Sequence, residues 1–298
     1  MTAGFLPLLQ AAGHDGGEFD IPSMIMHHLA DSHEIELPFG FVWHLPRFAP
    51  VHLGPLTIDF SPTKHVVFMM IAAVLVALLL LVAAAHAKRA HAAGATRGPK
   101  GAANVIEAIV LYIRDEIALK NIGHGGEKFV PYIVAVFFFI LFCNMLGLLP
   151  WGASPTGNVS VTATLAVITF ITVEIAGMRE LGVKGYLQTI FFAPPGMHWG
   201  MRIPMYIIMT PVEFMGKLTK PFALAIRLFA NMTAGHAVVL ALTGLMVLAV
   251  LNNVWFVVIA PLAMAIAIMM LEIFVALLQA YIFAMLSSVF IGLIRHAH

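Results

Sequence analysis

The sequence predicts an all-α membrane protein. It has five membrane-crossing helices and one amphipathic helix at the membrane surface, and its last two helices form a long, strongly tilted antiparallel hairpin. Of its 298 residues, 61% are hydrophobic and 10% are charged, and the mean hydropathy is +0.95. Values this apolar are typical of a chain that crosses a lipid bilayer several times and exclude a soluble domain of this length. Several apolar runs are long enough to cross about 30 Å of hydrocarbon. The net charge of +1 gives no indication of a nucleic-acid partner.

Residues 1–64 are expected to form an external segment, ahead of a transmembrane helical domain over residues 65–298. Residues 1–12 lack the basic start of a signal peptide, so we expect a translocated tail. The segment is acidic and carries many of the chain's 14 histidines. We expect it to be solvated surface.

The first span is predicted over residues 65–87, because residues 66–85 contain no polar side chain. Cytoplasmic loops are rich in Lys and Arg, so the loop that follows is expected in the cytoplasm and the N-terminus outside. Four basic residues lead to this orientation: Lys88, Arg89, Arg97 and Lys100.

Residues 101–121 predict an amphipathic helix and not a span. A helix of this kind lies at the cytoplasmic surface or caps the bundle. Its apolar residues recur at helical spacing, with charged residues between them: Val105, Ile106, Ile109, Val110, Ile113 and Ile117, against Glu107, Arg114, Asp115 and Lys120.

The second and third spans are predicted over residues 129–150 and 159–178, joined by an uncharged connector. Arg179 and Lys184 then lie on the cytoplasmic side, as the excess of basic residues in cytoplasmic loops requires. The sequence Pro194-Pro195-Gly196 predicts a loop or a broken hairpin over residues 186–199.

Two very long apolar segments, residues 204–250 and 254–294, close the chain. At 1.5 Å per residue they would form helices about 69 and 62 Å long, about twice what a bilayer needs. Either each helix breaks or both tilt strongly. The turn signal between them is Asn252-Asn253, so we expect an antiparallel hairpin and a cytoplasmic C-terminus.

Three ionisable residues inside this hairpin are the main functional signal. Between residues 221 and 294, acid or base side chains occur only at Arg227, His236 and Glu272. A charge at membrane depth costs about 2.5–3.5 kcal/mol on insertion scales, and such residues mark ion paths or proton relays.

An antiparallel register relates these residues to one another. Residue numbers at one level of such a pair have a nearly constant sum, which places His236 level with Glu272 and Arg227 level with Gln279. Asn231 shares the face of Arg227, since the two lie one helical turn apart. A buried His–Glu pair can hold one proton and pass it on, whereas Arg stays charged and cannot carry a proton.

Structural roles are open for the same residues. Arg227 could form only a salt bridge with Glu272, and His236 could be a packed, hydrogen-bonded histidine. Asn231 and Gln279 could join the two helices by hydrogen bonds, which contribute about 0.6–2 kcal/mol in membranes.

Short sequences along nearly the whole chain are typical of one family: Pro211-Val-Glu213-Phe, Lys220-Pro221, Arg227-Leu-Phe-Ala-Asn231-Met-Thr-Ala-Gly235 and Leu278-Gln279-Ala-Tyr-Ile-Phe-Ala-Met-Leu, with His27-His28-Leu29, Ile58-Asp59, Asn144-Met-Leu-Gly147-Leu-Leu-Pro150 and Pro155-Thr156 upstream. By these sequences the chain resembles subunit a, the membrane stator channel of rotary F-type ATP synthases. The run that begins at Arg227 is highly specific for it.

The resemblance implies a non-catalytic subunit that couples proton flow to rotation for ATP synthesis. Its partners would be a ring of c subunits, subunit b of the peripheral stalk, the rest of the synthase and the lipid of a bacterial inner membrane. Arg227 matches the essential arginine, which engages a ring carboxylate and blocks a direct leak between two offset half-channels. Asn231, His236, Glu272 and Gln279 match positions in the outer half-channel. The resemblance implies no cofactor and no metal.

The sequence departs from the family at three positions. Many members have the acid at the position of His236 and the histidine at that of Glu272, so the pair is reversed here. Ala223 stands where some members have Ser or Thr, and Asn158 stands where several have an acid. The His–Glu pair favours protons over sodium, although the ring partner mostly sets the ion. Two acids are weaker candidates for the inner exit path: Glu213 and Glu174.

Two other classes of protein fit less well. The many histidines suggest an intramembrane metalloprotease, but His33-Glu34-Ile35-Glu36-Leu37 lacks the second histidine of the helical zinc motif and lies in the external segment. A free-standing secondary transporter often shows internal repeats, and the sequence shows none.

Overall fold

Five helices carry the architecture of this computed structural model, which describes residues 20–36, 41–53, 56–59, 61–92, 102–149, 152–191 and 199–295. Within these ranges, five helices are long and apolar enough to cross a membrane: Lys64–His86, Gly126–Gly147, Val159–Ile190, Ile203–Leu251 and Trp255–Arg295. This confirms the predicted all-α membrane fold with five spans. Arg97, Lys100 and Pro194-Pro195-Gly196 lie outside the described residues.

Short elements precede the first span. Helix α1 (Ile21–Leu29) begins after Asp20, whose carboxylate accepts a hydrogen bond from the Ser23 amide and so caps the helix. Two antiparallel hairpins follow, and the sequence did not predict them. Their strands are β1 (Glu34–Glu36) with β2 (Val42–His44), and β3 (Val51–Leu53) with β4 (Leu56–Ile58).

The rest of the described chain is helical. The helices are α2 (Lys64–Ala92), α3 (Ala102–Tyr112), α4 (Lys120–Ile122), α5 (Val130–Gly147), α6 (Val159–Ile190), α7 (Trp199–Leu251) and α8 (Ile259–Arg295). A π-helical stretch, Ile113–Leu119, joins α3 to α4. Short 3₁₀ turns precede α5, α6 and α8: Gly126–Phe129, Pro155–Gly157 and Trp255–Val258.

The segment from α3 to α4 is helical where the amphipathic helix was predicted. Ile113, Ile117 and Ile122 are buried, whereas Arg114 and Asp115 are exposed. The two faces therefore differ as the helical spacing requires. The position of this helix at the cytoplasmic surface stays a prediction.

The loop predicted over residues 186–199 is wrong in its first part. Helix α6 continues to Ile190 and changes direction at Gly182, which has φ 69° and ψ 165°. A glycine adopts this positive φ without a steric penalty, so the chain bends there and then resumes a helix. The loop signal from Pro194 onward lies outside the described residues.

Helix α7 stays unbroken although it contains Pro204, Pro211 and Pro221. Each proline lacks the N–H that would bond the carbonyl four residues earlier, yet such helices are tolerated in membranes. Of the two alternatives that the sequence left open, the structure therefore has unbroken helices. Their tilt in a membrane stays a prediction.

Two compact units make up the chain, and each collects separate stretches of sequence. The first contains Met1–Ala77, Phe139–Asn158 and Leu228–Gln279, and the second contains Leu78–Phe138, Val159–Arg227 and Ala280–His298. The predicted boundary at residue 64 between an external segment and a transmembrane domain stays a prediction.

In the first unit, part of the N-terminal segment is packed, so the expectation of solvated surface is wrong there. Met24 of α1 is 6% exposed and packs against Val247 of α7. A second cluster joins the β1–β2 hairpin to the first span through four buried residues: Ile35, Leu45, Phe68 and Ala153. Burial of these apolar side chains explains why the segment folds against the helices.

In the second unit, Arg295 fixes the end of α8. Its Nη2 donates a hydrogen bond of 2.9 Å to the carbonyl of His124 and lies 3.0 Å from Oε2 of Glu180. The Arg295 side chain is 7% exposed, so water competes little for these bonds. One side chain thus ties α8 to α6 and to the turn before α5.

Replacing Arg295 with alanine is expected to destabilise the second unit. Loss of a buried, charge-assisted hydrogen bond costs about 1.5–3 kcal/mol, so the thermal unfolding midpoint of the purified protein should fall. Arg114→Ala is the matched control, because Arg114 is exposed and lies 3.7 Å from Asp115; its effect should stay within about 0.5 kcal/mol. Equal midpoints for the two variants would contradict this role of Arg295.

Candidate functional site

The His236 side chain lies at the centre of the polar groups in the first unit. Its Nδ1 is 3.0 Å from Oε1 of Glu272, and its Nε2 is 2.7 Å from the carbonyl oxygen of Gly147. The side chains of His236 and Glu272 are 22% and 8% exposed. The imidazole is therefore held from both sides in a largely dry environment.

These two hydrogen bonds fix how many protons the His–Glu pair holds. A carbonyl oxygen can only accept, so Nε2 of His236 carries a proton and donates it to Gly147. The contact between Nδ1 and Glu272 then needs one further proton, which resides either on the nitrogen or on the carboxyl oxygen. Either way the pair is neutral overall and holds one transferable proton.

Loss of that proton changes the contact between His236 and Glu272. Nδ1 would then present a lone pair to a carboxylate oxygen 3.0 Å away, and two acceptors at this distance repel each other. The pair must separate or accept a new proton. The arrangement therefore couples the release of a proton to a small movement of one side chain.

The Gly147 carbonyl is available because helix α5 ends at this residue. The last carbonyls of a helix have no partner within the helix, so this one can bind His236. A buried network holds the end of α5 in place: Thr156 Oγ1 donates to Oδ1 of Asn144 at 2.6 Å, and Asn144 Nδ2 donates to the carbonyl of Ala276 at 3.4 Å.

Gly235 makes room for the Glu272 carboxylate. A Cβ atom at residue 235 would collide with Oε1 of Glu272, the oxygen that binds His236. The carboxylate thus lies directly against the backbone of α7. A side chain at this position would separate the pair.

Asn231 and Gln279 form a second contact between the same two helices. Nδ2 of Asn231 donates to Oε1 of Gln279 at 3.0 Å. Gln279 is 2% exposed, and its Nε2 has no hydrogen-bond partner among the described residues. A buried donor without an acceptor costs about 1–3 kcal/mol, so this nitrogen favours a water or a carboxyl oxygen beside it.

The structure brings together one of the two residue pairs that the antiparallel register predicts, His236 with Glu272. In the turn that follows α7, Asn253 adopts a left-handed conformation with φ 55°. Gln279 bonds Asn231, one turn along from Arg227. The predicted level pairing of Arg227 with Gln279 stays a prediction, as do the roles of all these residues in transport.

Arg227 belongs to the second unit and is exposed. Its guanidinium forms no ion pair or hydrogen bond with the described residues of the second unit. A free guanidinium presents five donors in a planar fork that suits a carboxylate. The exposed face of α7 therefore offers a cation with its bonding capacity unused.

A cavity of about 130 Å³ in the second unit contains the weaker candidate Glu213. Nζ of Lys217 lies at its wall, 3.3 Å from Oγ1 of Thr189 and 4.4 Å from the centre of the Tyr186 ring. The other candidate, Glu174, is close enough to Lys217 for their charges to attract. Apolar and polar side chains complete the lining: Thr169, Phe170, Val173, Lys220, Pro221, Phe290, Leu293 and Ile294.

Metal ligands are not grouped in the described ranges. No three His, Cys, Asp or Glu side chains there are close enough to hold a metal ion.

Comparison with known sequences identifies the family. The sequence model described as ATP synthase A chain matches residues 66–292, which is most of the chain. The chain belongs to the ATP synthase A chain family. It is 48% identical over 271 residues to ATP synthase subunit a 2 of Chlorobaculum tepidum, which covers 91% of this chain and 72% of that protein.

Other ATP synthase A chain members are similarly related. ATP synthase subunit a 2 of Chlorobium luteolum is 45% identical over 286 residues, covering 95% of this chain and 78% of that protein. ATP synthase subunit a of an Anaeromyxobacter species is 45% identical over 316 residues, covering 96% and 73%. The resemblance noted from short sequences is thereby confirmed.

Three groups in the site of this ATP synthase A chain member carry no functional prediction from the sequence. Gly147 contributes only its backbone carbonyl, so its side-chain type gives no signal. Asn144 and Gly235 both lie within short sequences typical of the family. Their place in these sequences is the only sign in the sequence that they have a role.

Gly235→Ala is expected to disrupt the site although alanine normally stabilises a helix by about 0.5–1 kcal/mol relative to glycine. The added Cβ displaces the Glu272 carboxylate, and a shift of about 1 Å can cost about 100-fold in rate. ATP-driven proton pumping by the assembled complex measures this.

Gly185→Ala is the matched control for this substitution. An added Cβ at residue 185 meets only Leu181 of the same helix, at 3.3 Å, so pumping should stay at the wild-type rate. Wild-type pumping in Gly235→Ala would show that Glu272 needs no fixed position.

Proposed function

We propose that this chain is the proton-translocating stator subunit of a rotary ATP synthase and that it catalyses no covalent reaction itself. The observation that carries the proposal is the buried His236–Glu272 pair, which holds one transferable proton inside an apolar hairpin. A buried ionisable pair at membrane depth favours a role in ion movement. The names of the relatives support the same assignment.

Protons enter from the outside and reach the His236–Glu272 pair. The pair passes them to a carboxylate on a partner ring of c subunits, which then rotates. Because Nε2 of His236 is held by Gly147, the proton leaves from the side that faces Glu272. Asn231 and Gln279 line the same path, where the unpaired Nε2 of Gln279 favours an ordered water.

Arg227 meets the ring carboxylate as the site returns. An exposed guanidinium in an apolar helix is unfavourable by about 2.5–3.5 kcal/mol at membrane depth, and a carboxylate from the ring would compensate its charge. Since Arg does not release its proton, it favours the ionised carboxylate and blocks direct proton passage. The lack of a partner among the described residues of the second unit supports this role.

The inner exit path follows the cavity in the second unit. Glu213 lines it, and Glu174 is close to Lys217 at its wall. A cavity of about 130 Å³ has room for several waters. These acids can accept a proton that leaves the ring and release it to water.

The partners and the orientation of the chain in the membrane belong to the same proposal. The chain assembles with the c ring, subunit b and the rest of the synthase in a bacterial inner membrane, with its N-terminus outside and its C-terminus in the cytoplasm. A potential of 100 mV supplies about 2.3 kcal/mol for each proton that crosses. The His236–Glu272 pair favours protons over sodium ions as the transported species.

Arg227→Ala tests the proposal most directly. ATP-driven proton pumping in inverted membrane vesicles should fall by at least about 100-fold, the usual effect of removing a key charge from an electrostatic site. After removal of the soluble catalytic part, the passive proton leak should rise. Assembly, measured by co-purification of the ring, should be unchanged. Pumping at the wild-type rate would reduce Arg227 to a structural charge and overturn the proposal.

Exchange of the two residues tests the His–Glu pair. His236→Gln and Glu272→Gln should each lower pumping by about 100-fold, since each removes a proton-transfer group. The double variant His236→Glu with Glu272→His restores the pair in the order found in many family members, and should recover only part of the rate. A glutamate at residue 236 cannot donate to the Gly147 carbonyl while ionised.

The comparison of the single and double variants separates two readings. Recovery above either single variant indicates a proton-handling pair. A double variant that is no better than the single variants would show that the local packing of each residue matters and not their shared proton.

A further inference from the structure

A second histidine–carboxylate pair lies in the first unit, outside the proposed site. His65, at the start of α2, is 6% exposed. Its Nδ1 is 2.7 Å from Oδ1 of Asp31, and the Asp31 side chain is 32% exposed. One member of the pair is therefore buried, and the other reaches solvent.

The Asp31 carboxylate is held from two sides. Besides His65, Nδ2 of Asn158 donates to its Oδ2 at 3.2 Å. Partial burial acts to raise the pKa of Asp31, but the hydrogen bonds from its neighbours, that of the His65 side chain foremost, outweigh burial, so the pKa lies below its usual value. Asp31 is thus ionised at neutral pH and accepts both bonds.

This geometry leaves Nε2 of His65 able to accept a proton. An ionised carboxylate can only accept, so Nδ1 of His65 donates to Asp31, and Nε2 of the neutral ring carries a lone pair. Nε2 has no hydrogen-bond partner in the described part of the chain. It can take up a proton: burial and the charges of Lys64 and His236 disfavour the resulting imidazolium, whereas Asp31 stabilises it, so the proton is readily passed on.

The two histidine pairs lie close together in the first unit. The charges of His65 and His236 are near enough to act on each other, as are those of His65 and Lys64. Exposure falls from Asp31, at 32%, to Glu272, at 8%. The side chains of His65 and His236 are 7% and 22% exposed, so each pair has one buried and one partly exposed member.

We propose that His65, positioned by Asp31, is an additional proton carrier that receives protons from the outer solution and delivers them towards the His236–Glu272 pair. Nε2 of His65 takes the excess proton of an entering hydronium ion, which becomes water, and the same nitrogen returns it to a water on the side of His236, which becomes hydronium. The number of protons on His65 and Asp31 is the same before and after. This inference rests on the proposed function of the chain.

A structural role is the alternative that a test must exclude. The pair also ties the segment before α2 to the start of that helix, next to a bond of 2.8 Å from Nζ of Lys64 to the carbonyl of His28. Loss of either partner could therefore loosen the fold without any effect on proton transfer. The test needs a readout that packing alone does not change.

The chain contains a matched control pair. Nδ1 of His44 lies 3.3 Å from Oε1 of Glu34 in the β1–β2 hairpin, and these side chains are 73% and 48% exposed. The control has the same two residue types in the same segment, but both are solvated. Its variants should leave proton flux unchanged.

The experiment measures passive proton flux in liposomes that hold the whole synthase complex, stripped of its soluble catalytic part and driven by a potassium diffusion potential. His65→Asn and Asp31→Asn are compared with His44→Asn and Glu34→Gln. Proton flux should fall about tenfold in His65→Asn and Asp31→Asn, because the entrance then holds fewer protons near the His236–Glu272 pair. In these liposomes the outer face of the protein points into the lumen. Imidazole at millimolar concentration in the lumen should therefore restore the proton flux.

The outcomes separate the inference from the proposed function. Wild-type flux in His65→Asn overturns the inference, and so does a reduced flux that imidazole does not restore or an equal fall in the control pair. Arg227→Ala is measured in the same liposomes before the soluble catalytic part is removed: if it leaves ATP-driven pumping intact, the proposed function itself fails. Loss of pumping there, with wild-type flux in His65→Asn, overturns only the role of His65.

Discussion

The first unit depends on one side chain that bonds in two directions. His236 joins the end of α5, through the carbonyl of Gly147, to Glu272 on α8, and it lies on α7 itself. Three helical segments therefore meet at one imidazole. Such a group is costly to bury alone, and both of its nitrogens are satisfied. The fold at this point and the chemistry proposed for it rest on the same two hydrogen bonds.

This double attachment limits how the imidazole can act. A ring that rotates freely could accept a proton on one nitrogen and release it from the other. Here Nε2 donates to a backbone carbonyl, which can accept a hydrogen bond but cannot take up the proton. Only Nδ1 and the Glu272 carboxyl are therefore left to exchange protons. The Glu272 carboxylate occupies the space that Gly235 leaves beside it.

Much of the fold follows from composition and spacing alone. The five spans are predictable because a membrane requires long apolar helices, and no soluble arrangement competes with them. The contact of His236 with Glu272 is also predictable, since a short turn at Asn252-Asn253 fixes the register of an antiparallel pair. Local turn geometry and helix periodicity are enough to place these two residues.

Other parts of the structure depend on contacts that leave no pattern in the sequence. The Gly147 carbonyl binds through the backbone, which every residue shares. His65 and Asp31 are 34 residues apart in sequence and meet only because the N-terminal segment packs on the helices. The bend at Gly182 needs a positive φ that any glycine permits and few require. The short strands β1–β4 are too brief to produce a clear alternation of apolar residues.

The prolines of α7 have a consequence for hydration. Pro221 cannot donate to the carbonyl of Lys217, four residues earlier, and both residues line the cavity of the second unit. A backbone oxygen that lacks its helical donor stays available to accept a hydrogen bond, beside the polar side chains of Glu213 and Lys220 in the same wall. Water in this cavity would therefore be anchored by the main chain as well as by Glu213. Hydration of this cavity would then depend partly on the backbone, and exchange of the acidic side chains alone would not abolish it.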